Sequence, residues 1–294
     1  MSAETLAKPD PVVNAEEDDE DILPADMFEE PAGFRPPSPP PTSEEFIREP
    51  EHIGEGTLIY SLEVRLVGRH SLWAHKLWNA GLSMTKYLDK HKDLYVGKRV
   101  LELGAAASLP SLICAVNGAK KVVITDYPDP ELINNMHHNA AQNAPDALAD
   151  GVVQIVGFQW GTPIDDLLTA LGGPTEKFDL ILLADLIFNH TEHQNLLKSC
   201  REALAPGGLV ITTFTQYVSP FLIFGAPPDN VSLTPQYSHV VKWSDRDDKF
   251  FEYAVEEPYK FQVEKIYEER WSAMFPNDTG DEDVRSTVHA FKLW

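Results

Sequence analysis

The sequence lacks a long apolar run and a secretory leader. No stretch of eighteen or more apolar residues occurs in its 294 residues, whereas a membrane-spanning helix needs about 20. The first residues, Met-Ser-Ala-Glu, turn acidic and have neither the basic nor the apolar region of a signal peptide. We therefore expect a cytosolic or nuclear protein, with the cytoplasm as its location, that does not act at a membrane.

Cysteine is scarce, and the few metal-ligating side chains are scattered. Cys114 and Cys200 are the two cysteines, and they form neither a Cys-x-x-Cys motif nor a zinc-ligand spacing. We interpret both as small buried hydrophobic residues. His190 and His193 could share a helix face, but no third ligand completes a metal motif. They are interpreted as the polar start of a helix, and no metal is expected.

Basic residues are few, with 24 Lys and Arg against 46 Asp and Glu and a formal net charge of −22. This balance argues against a nucleic-acid partner, because binding to phosphates normally needs a basic patch. It favours a basic partner. Residues 1–50 hold fourteen acidic and three basic residues, so half of the excess charge lies there.

Residues 1–43 are predicted to be a disordered tail. They contain an acidic run at 16–21 and a proline-rich run at 36–41, and such a stretch has too little apolar surface to offset the entropy of ordering. The tail could dock a basic partner or simply aid solubility, and we favour solubility. Residues 44–294 are predicted to form one domain.

The domain alternates strand and helix patterns. A strand or hairpin is predicted at 57–67 and an amphipathic helix at 72–88. Buried strands are predicted at 99–103, 121–125, 152–156, 178–183 and 209–214. Helices are predicted at 109–116, 131–142, 165–171 and 192–204. This alternation predicts an α/β fold with a doubly wound, mostly parallel sheet and helices on both faces.

The last part of the domain departs from this alternation. A loop at 220–235 and a helix at 247–255 precede two strand patterns at 259–268 and 286–294. Two strands without an intervening helix are expected to pair as an antiparallel hairpin at the sheet edge. The turn of that hairpin is predicted at 277–283.

Candidate ligand-binding residues follow the first two buried strands, because ligands of open parallel sheets bind at the carboxyl ends of the strands. Gly104, which follows Glu102 and Leu103, permits a tight turn before a helix. By itself this is a weak signal, since such a turn can also serve packing alone. Asp126 lies twenty-two residues further on, where a carboxylate can accept the ribose hydroxyls of an adenosine.

The lack of further glycines after Gly104 limits which kinds of nucleotide the site could bind. A nicotinamide or flavin dinucleotide site needs Gly-x-Gly-x-x-Gly, since the backbone must approach a pyrophosphate. Here Gly104 is followed by three alanines. A dehydrogenase is therefore disfavoured, and a ligand without phosphates, such as adenosine joined to methionine, is favoured.

Several motifs together resemble the seven-strand, Rossmann-like protein methyltransferases of the lysine-methylating group. The motifs lie at 100–112, 125–129, 159–161, 178–190 and 205–208. The resemblance covers about residues 55–294. Within this group, the sequence is similar in particular to members that methylate elongation factor 1-alpha. It implies a sheet with an antiparallel C-terminal strand, S-adenosylmethionine as cofactor, and the N-terminal glycine α-amine and an adjacent lysine of elongation factor 1-alpha as acceptors.

The resemblance also implies a set of cofactor-binding residues. These are Trp78, Gly104, Ala105, Ala106, Asp126, Trp160 and Ala184. Trp78 would contact the methionine end of the cofactor, and residues 104–106 would form the backbone turn. Asp126 would bind the ribose, Trp160 would flank the adenine, and Ala184 would close the site. Both tryptophans could instead be core aromatics, although an adenine pocket also needs flat apolar walls.

Two departures from the usual methyltransferase pattern bear on the substrate. Ala105 and Ala107 stand where many methyltransferases have glycine. No Asn-Pro-Pro-Tyr or Asp-Pro-Pro-Tyr motif follows the fourth buried strand, which argues against methylation of DNA bases.

Asp185, at the end of the fourth buried strand, is the candidate catalytic residue. Methyl transfer to nitrogen needs a neutral, in-line amine and the exclusion of water. We expect Asp185 to orient the acceptor ammonium or to receive its proton through water. Two other functions stay open at this point: a small-molecule methyltransferase of the nicotinamide type, and a nucleoside-binding module without turnover.

Overall fold

The computed structural model describes residues 39–54, 58–216, 244–275, 277 and 281–294. The described residues form nine strands and eight α-helices. The strands are β1 (Thr42–Ile47), β2 (Ser61–Leu66), β3 (Arg99–Leu103), β4 (Lys121–Asp126), β5 (Val153–Gly157), β6 (Phe178–Ala184), β7 (Leu204–Thr215), β8 (Val263–Arg270) and β9 (Thr287–Leu293). The helices are α1 (Asn79–Lys90), α2 (Leu109–Val116), α3 (Pro130–Asn143), α4 (Pro145–Ala149), α5 (Asp165–Leu171), α6 (His193–Ala203), α7 (Ser244–Val255) and α8 (Glu282–Arg285).

Seven strands form one sheet in the order β5-β4-β3-β6-β7-β9-β8. The first five strands in this order run parallel to one another, and β9 pairs antiparallel with both β7 and β8. The α/β fold predicted from the sequence, a seven-strand sheet with an antiparallel C-terminal strand, is therefore confirmed. The C-terminal strands β8 and β9 also form an antiparallel hairpin at one edge of the sheet, as predicted. Within this hairpin β8 is the edge strand, whereas β9 lies between β8 and β7.

The sheet is buried on both faces, which explains the continuous apolar runs of its central strands. In β3, Val100 belongs to the core on one face, whereas Leu101 and Leu103 belong to the core on the other. Helices α1, α2 and α3 cover the first face, and α5, α6 and α7 cover the second. Cys114 and Cys200 are buried in these two cores, one in each, as the sequence predicts.

The strand predicted near residues 57–67 is β2, which forms a separate two-stranded sheet with β1. Asn139 on α3 accepts the N–H of Arg65 at 2.8 Å and donates to its carbonyl at 2.9 Å. Arg48, after β1, makes a buried two-pronged ion pair with Asp89 of α1. The small sheet is thereby fixed to the helices of the first face. Strand β1 begins at Thr42, two residues before the predicted start of the domain.

The helix predicted at 72–88 is wrong in its first half. Helix α1 begins at Asn79, and Trp78 before it is extended. Residues 69–78, which we call the strap, contain turns and place Trp73 at a φ of 63°, outside the helical region. The apolar residues of the strap have helical spacing, but most of them line a cavity at the carboxyl edge of the sheet, namely Leu72, Trp73, Ala74 and Trp78, whereas Leu77 packs against the core.

Four predicted segments lie wholly or partly outside the described residues. They are the tail up to residue 38, residue 57 of the strand at 57–67, the loop at 220–235 and residues 278–280 of the turn at 277–283. In the part of the chain that the structure describes, no helix combines the length and apolar character needed to cross a membrane.

Candidate active site

A cavity of about 430 Å³ opens where the carboxyl ends of β3, β4 and β6 meet. This is the point at which the strand order reverses direction, the usual ligand site of open α/β sheets. Most of the predicted site residues line it together. They are Trp78, Gly104, Ala106, Asp126, Trp160, Ala184 and Asp185. Residues from distant parts of the sequence are thus brought to one site by the topology.

Gly104 forms the floor of the turn after β3. Its φ is +61°, and a Cβ atom there would lie 2.6 Å from Leu186 Cδ2 and 3.2 Å from Trp160 Cζ2. The backbone conformation therefore favours glycine, and a Cβ atom would also force the Leu186 side chain to shift. Ala106 and Ser108 also have positive φ values of 44° and 66°. Such strained backbone in non-glycine residues is concentrated at functional sites.

Ala105 differs from the other predicted residues. It is buried, it does not line the cavity, and its N–H donates to the carbonyl of Thr125 at 2.9 Å. This bond ties the turn after β3 to the end of β4. The position of Ala105 therefore supports the turn and places no side chain against a ligand.

Asp126 is held by two backbone donors. Its Oδ2 accepts the N–H of Ala106, and its Oδ1 accepts the N–H of Tyr127, each at 2.7 Å. The residue is buried, with a relative exposure of 8%. Burial raises the pKa of this carboxyl, although both N–H donors oppose the rise. Each carboxylate oxygen has lone pairs left to accept hydroxyl groups from a ligand.

Trp160 and Trp78 stand at different parts of the cavity wall. Trp160 packs close to Gly104 at the end formed by β4 and β5, beside Phe158 and Gln159. Trp78 belongs to the strap, and its indole N–H donates to the carbonyl of Trp73 at 3.1 Å. The cavity wall consequently contains two tryptophans, one from the strap and one from the segment after β5.

Asp185 lies at the end of β6 with a φ of 59°. It is only 5% exposed. Its N–H donates to the carbonyl of Thr213 at 2.7 Å, and its Oδ1 accepts the N–H of Thr215 at 3.3 Å. Thr213 in turn donates from Oγ1 to the carbonyl of Ala80 at 2.9 Å. The carboxylate is therefore held by β7, which is itself bonded to the start of α1.

The charged residues that line the cavity, among those the structure describes, are all acidic. They are Asp126, Asp185 and Glu192. Below the turn, Glu102 is fully buried and accepts the N–H of Ser111 at 3.0 Å. Burial raises the pKa of Glu102 to about 8. An acidic cavity attracts a cationic group and repels phosphate.

The two histidines near the cavity have protein partners. His190 Nε2 lies 2.7 Å from Asp247 Oδ1, and His193 Nε2 lies 2.6 Å from the carbonyl oxygen of Ile187. Burial lowers the pKa of both imidazoles. No group of three residues able to hold a metal ion occurs within the described ranges.

Sequence reasoning missed the exposed apolar residues around the cavity mouth. These are Leu72, Trp73, Tyr127 and Phe188. Tyr127 and Phe188 follow Asp126 and Asp185 by one and three positions. Their closeness in sequence to the predicted carboxylates could therefore have identified them as residues near the site. Trp73 gave no such signal, because its spacing matched a helix.

The donor set fits S-adenosylmethionine. The buried Asp126 carboxylate and the aromatic side chain of Trp160 in the cavity wall suit a nucleoside. The absence of Lys, Arg and His among the described lining residues suits a ligand without phosphates. The fold and the cavity define a methyltransferase of the seven-strand class.

Comparison with known proteins identifies the family. Residues 62–218 match the model of the lysine methyltransferase family. Similar proteins include the protein N-terminal and lysine N-methyltransferases of Schizosaccharomyces pombe (42% identical, covering 91% of this chain and 94% of that protein), Debaryomyces hansenii (40%, 94% and 98%) and Candida albicans (38%, 94% and 97%). The chain belongs to the lysine methyltransferase family. The predicted resemblance, the methyltransferase activity and S-adenosylmethionine as methyl donor are thereby confirmed.

Proposed function

We propose that this enzyme methylates the N-terminal glycine α-amine and an adjacent lysine of elongation factor 1-alpha. The observation that carries the proposal is the cavity itself, whose charged lining residues among those described are three carboxylates. Its similar proteins are named as N-terminal and lysine N-methyltransferases. Elongation factor 1-alpha as the acceptor rests on the sequence resemblance. Because that acceptor is a translation factor, the reaction would take place in the cytoplasm.

The cofactor would lie along the carboxyl edge of β3 and β4. Asp126 would accept the ribose hydroxyls, since its carboxylate is already oriented by Ala106 and Tyr127. Trp160 would flank the adenine, and Trp78 would contact the methionine end. Ala184, at the end of β6, would close the site.

Residues 104–106 would contribute the backbone turn beneath the cofactor. Gly104 would supply the tight turn, because its φ of +61° suits glycine and a Cβ atom would press on Leu186. Ala106 would face the cavity, and the buried Ala105 would hold the turn against β4. The alanines at 105 and 107 are compatible with this arrangement because both are buried.

When bound, S-adenosylmethionine would supply an electrophilic methyl group, which a neutral amine accepts as the bond from sulfur to the methyl carbon breaks and S-adenosylhomocysteine leaves. An α-amine has a pKa near ~8 and a lysine near ~10.4, so both acceptors must lose a proton before transfer. Asp185 would accept a hydrogen bond from the ammonium, orient it, and receive its proton through water. The depth of Asp185 in the cavity would exclude bulk water from the amine.

The acceptor can be identified directly. The purified protein is incubated with methyl-labelled S-adenosylmethionine and an extract of cells that lack their own copy, and the labelled peptide is identified by mass spectrometry. We expect the label on the N-terminal segment of elongation factor 1-alpha. Label found only on small molecules would favour a nicotinamide-type enzyme and overturn the proposal.

Calorimetry with S-adenosylmethionine separates the enzyme from a nucleoside-binding module. We expect binding of the cofactor and turnover with the labelled acceptor. Binding without turnover on any component of the extract would favour a binding module. An acidic cavity is a poor site for a neutral pyridine, which is why the protein amine is preferred as acceptor.

A further inference from the structure

The strap (residues 69–78) crosses the mouth of the cavity. Near its start, His70 Nε2 lies 3.8 Å from Asp129 Oδ2, beside the ribose-binding end. Just after the strap, the carbonyl of Ala80 accepts the hydroxyl of Thr213, whose own carbonyl binds the N–H of Asp185. The strap therefore runs from the nucleoside end of the cavity to the acceptor end.

Trp73, in the middle of the strap, is held in a costly conformation. Its φ of 63° is rare for a bulky residue. Two bonds fix the main chain there: Trp73 N–H donates to the carbonyl of His70 at 3.2 Å, and its own carbonyl accepts the indole N–H of Trp78 at 3.1 Å. Backbone strain of this kind persists only where surrounding contacts determine the conformation.

The indole ring of Trp73 is fixed by other rings. It stacks on His75 with centroids 5.8 Å apart and meets Trp78 and Phe275 edge to face at 6.2 Å each. The residue is nevertheless 45% exposed, and it lines the cavity mouth. A large aromatic side chain that is rigid before binding loses little entropy when a partner covers it.

The depth of Asp185 determines where an acceptor chain must leave the cavity. The amine to be methylated has to reach a carboxylate that is only 5% exposed, so the rest of the polypeptide has to pass over the rim. The strap is part of this rim, since Leu72 and Trp73 line the cavity that also contains Asp185. The strap leads into the start of α1, which Thr213 joins to Asp185. Trp73 is the exposed aromatic residue that the strap places at the cavity mouth.

We propose that Trp73 contacts the acceptor polypeptide beyond its methylated residues and gives the enzyme its preference for a polypeptide over a small amine. This inference rests on the proposed function. Trp73 is a specificity-determining residue, whereas Asp185 acts on the amine itself. The exposed face of its indole packs against the chain that emerges from the cavity.

The test compares two acceptors that differ in length. One is a peptide copying the first ten residues of elongation factor 1-alpha, and the other is its first two residues as a dipeptide amide. The variants are Trp73→Gly, which removes the ring and suits the positive φ, and Trp73→Phe, which keeps an aromatic ring. Trp294→Gly is the matched control, because Trp294 is also partly exposed and lies outside the cavity lining.

In Trp73→Gly we expect the peptide-to-dipeptide ratio of kcat/KM to fall about tenfold, mainly through the KM for the peptide. Calorimetry of the peptide in the presence of S-adenosylhomocysteine should show a matching loss of affinity, and Trp73→Phe should recover most of it. Trp294→Gly should leave the ratio unchanged.

An unchanged ratio in Trp73→Gly, or an equal fall in Trp294→Gly, would overturn the inference. A wild-type enzyme that methylates both probes with equal kcat/KM would overturn it while leaving the proposed function intact. A wild-type enzyme that methylates neither probe would overturn both.

Discussion

The backbone N–H of Ala106 donates to Asp126 Oδ2 at 2.7 Å, across twenty positions of sequence. The bond joins the turn after β3 to the end of β4, and Ala106 has the positive φ that this turn requires. The same carboxylate that we assign to the ribose therefore also holds the turn in place. Loss of Asp126 should disturb both the ligand and the backbone beneath it.

Replacing Asp126 by alanine should weaken cofactor binding about 100-fold and lower the free energy of unfolding by about 1–3 kcal/mol. The second effect arises because two buried N–H groups lose their acceptor. Calorimetry with S-adenosylhomocysteine and urea denaturation measure the two effects. Asp150→Ala is the control, since Asp150 is exposed and lies outside the cavity lining, and it should change neither quantity greatly. Equal losses in both variants would contradict the role of Asp126.

Replacing Gly104 by alanine should be more harmful than the same change at Gly97. Both glycines have positive φ values, +61° and +70°, but a Cβ at Gly104 would lie 2.6 Å from Leu186 Cδ2, whereas at Gly97 it would meet nothing within 4 Å. We expect Gly97→Ala to cost about 1 kcal/mol from backbone strain and Gly104→Ala about 1–3 kcal/mol more from overpacking. Denaturation curves and cofactor titrations check this, and only Gly104→Ala should weaken binding. Equal free energies of unfolding for Gly97→Ala and Gly104→Ala would show that the Leu186 side chain can move aside without cost.

Replacing Asp185 by asparagine should reduce the rate of methyl transfer about 100-fold or more and leave cofactor affinity within about twofold of wild type. Asparagine tolerates the φ of 59°, and its Oδ1 can still accept the N–H of Thr215. Single-turnover rates with labelled cofactor measure the effect, with Glu192→Gln as the control for a second carboxylate of the cavity. Methylation by Asp185→Asn at the wild-type rate would disprove the proposed role.

The buried Glu102 should make stability fall as pH rises. Burial raises its pKa from the usual 4.5 to about 8, so between these values the folded chain holds a proton that the unfolded chain has lost. The stabilising effect is complete below pH 4.5 and is lost as pH rises towards 8. Urea denaturation at pH 5, 6, 7 and 8 measures the free energy of unfolding of wild type and Glu102→Gln. From pH 5 to pH 8 the value for the variant should rise relative to that for the wild type by a few kcal/mol in total, about 1.4 kcal/mol per pKa unit. Parallel curves for the two proteins would contradict a protonated Glu102.

The central elements of the fold could be predicted because their signals are local. Strand β3 and helices α2 and α5 have the predicted bounds, since strands buried on both faces have continuous apolar runs and helices have their own period. The position of β9 inside the sheet was not predictable in the same way. It depends on pairing with β7 through residues far away in sequence.

The strap shows the limit of periodicity. Leu72 and Trp73 belong to the helical pattern of apolar residues at 72–88, yet α1 begins only at Asn79. Contacts with distant groups decide the conformation there, among them the ring of Phe275 and the carboxylate of Asp129. A helix at these residues would lose these contacts. The spacing of apolar residues within one segment contains no information about contacts with residues distant in sequence.

The sequence by itself determined the class of fold, the order of strands and helices along the α/β core, and the positions of Gly104, Asp126 and Asp185 at or just after the carboxyl ends of their strands. Strand order puts such residues at one edge, whatever the details of packing. Only the tertiary structure decided that Ala105 turns away from the cavity and that Trp73 stands at its mouth. Both depend on backbone conformations that are stabilised by groups remote in sequence, and their energies appear only when the chain has folded.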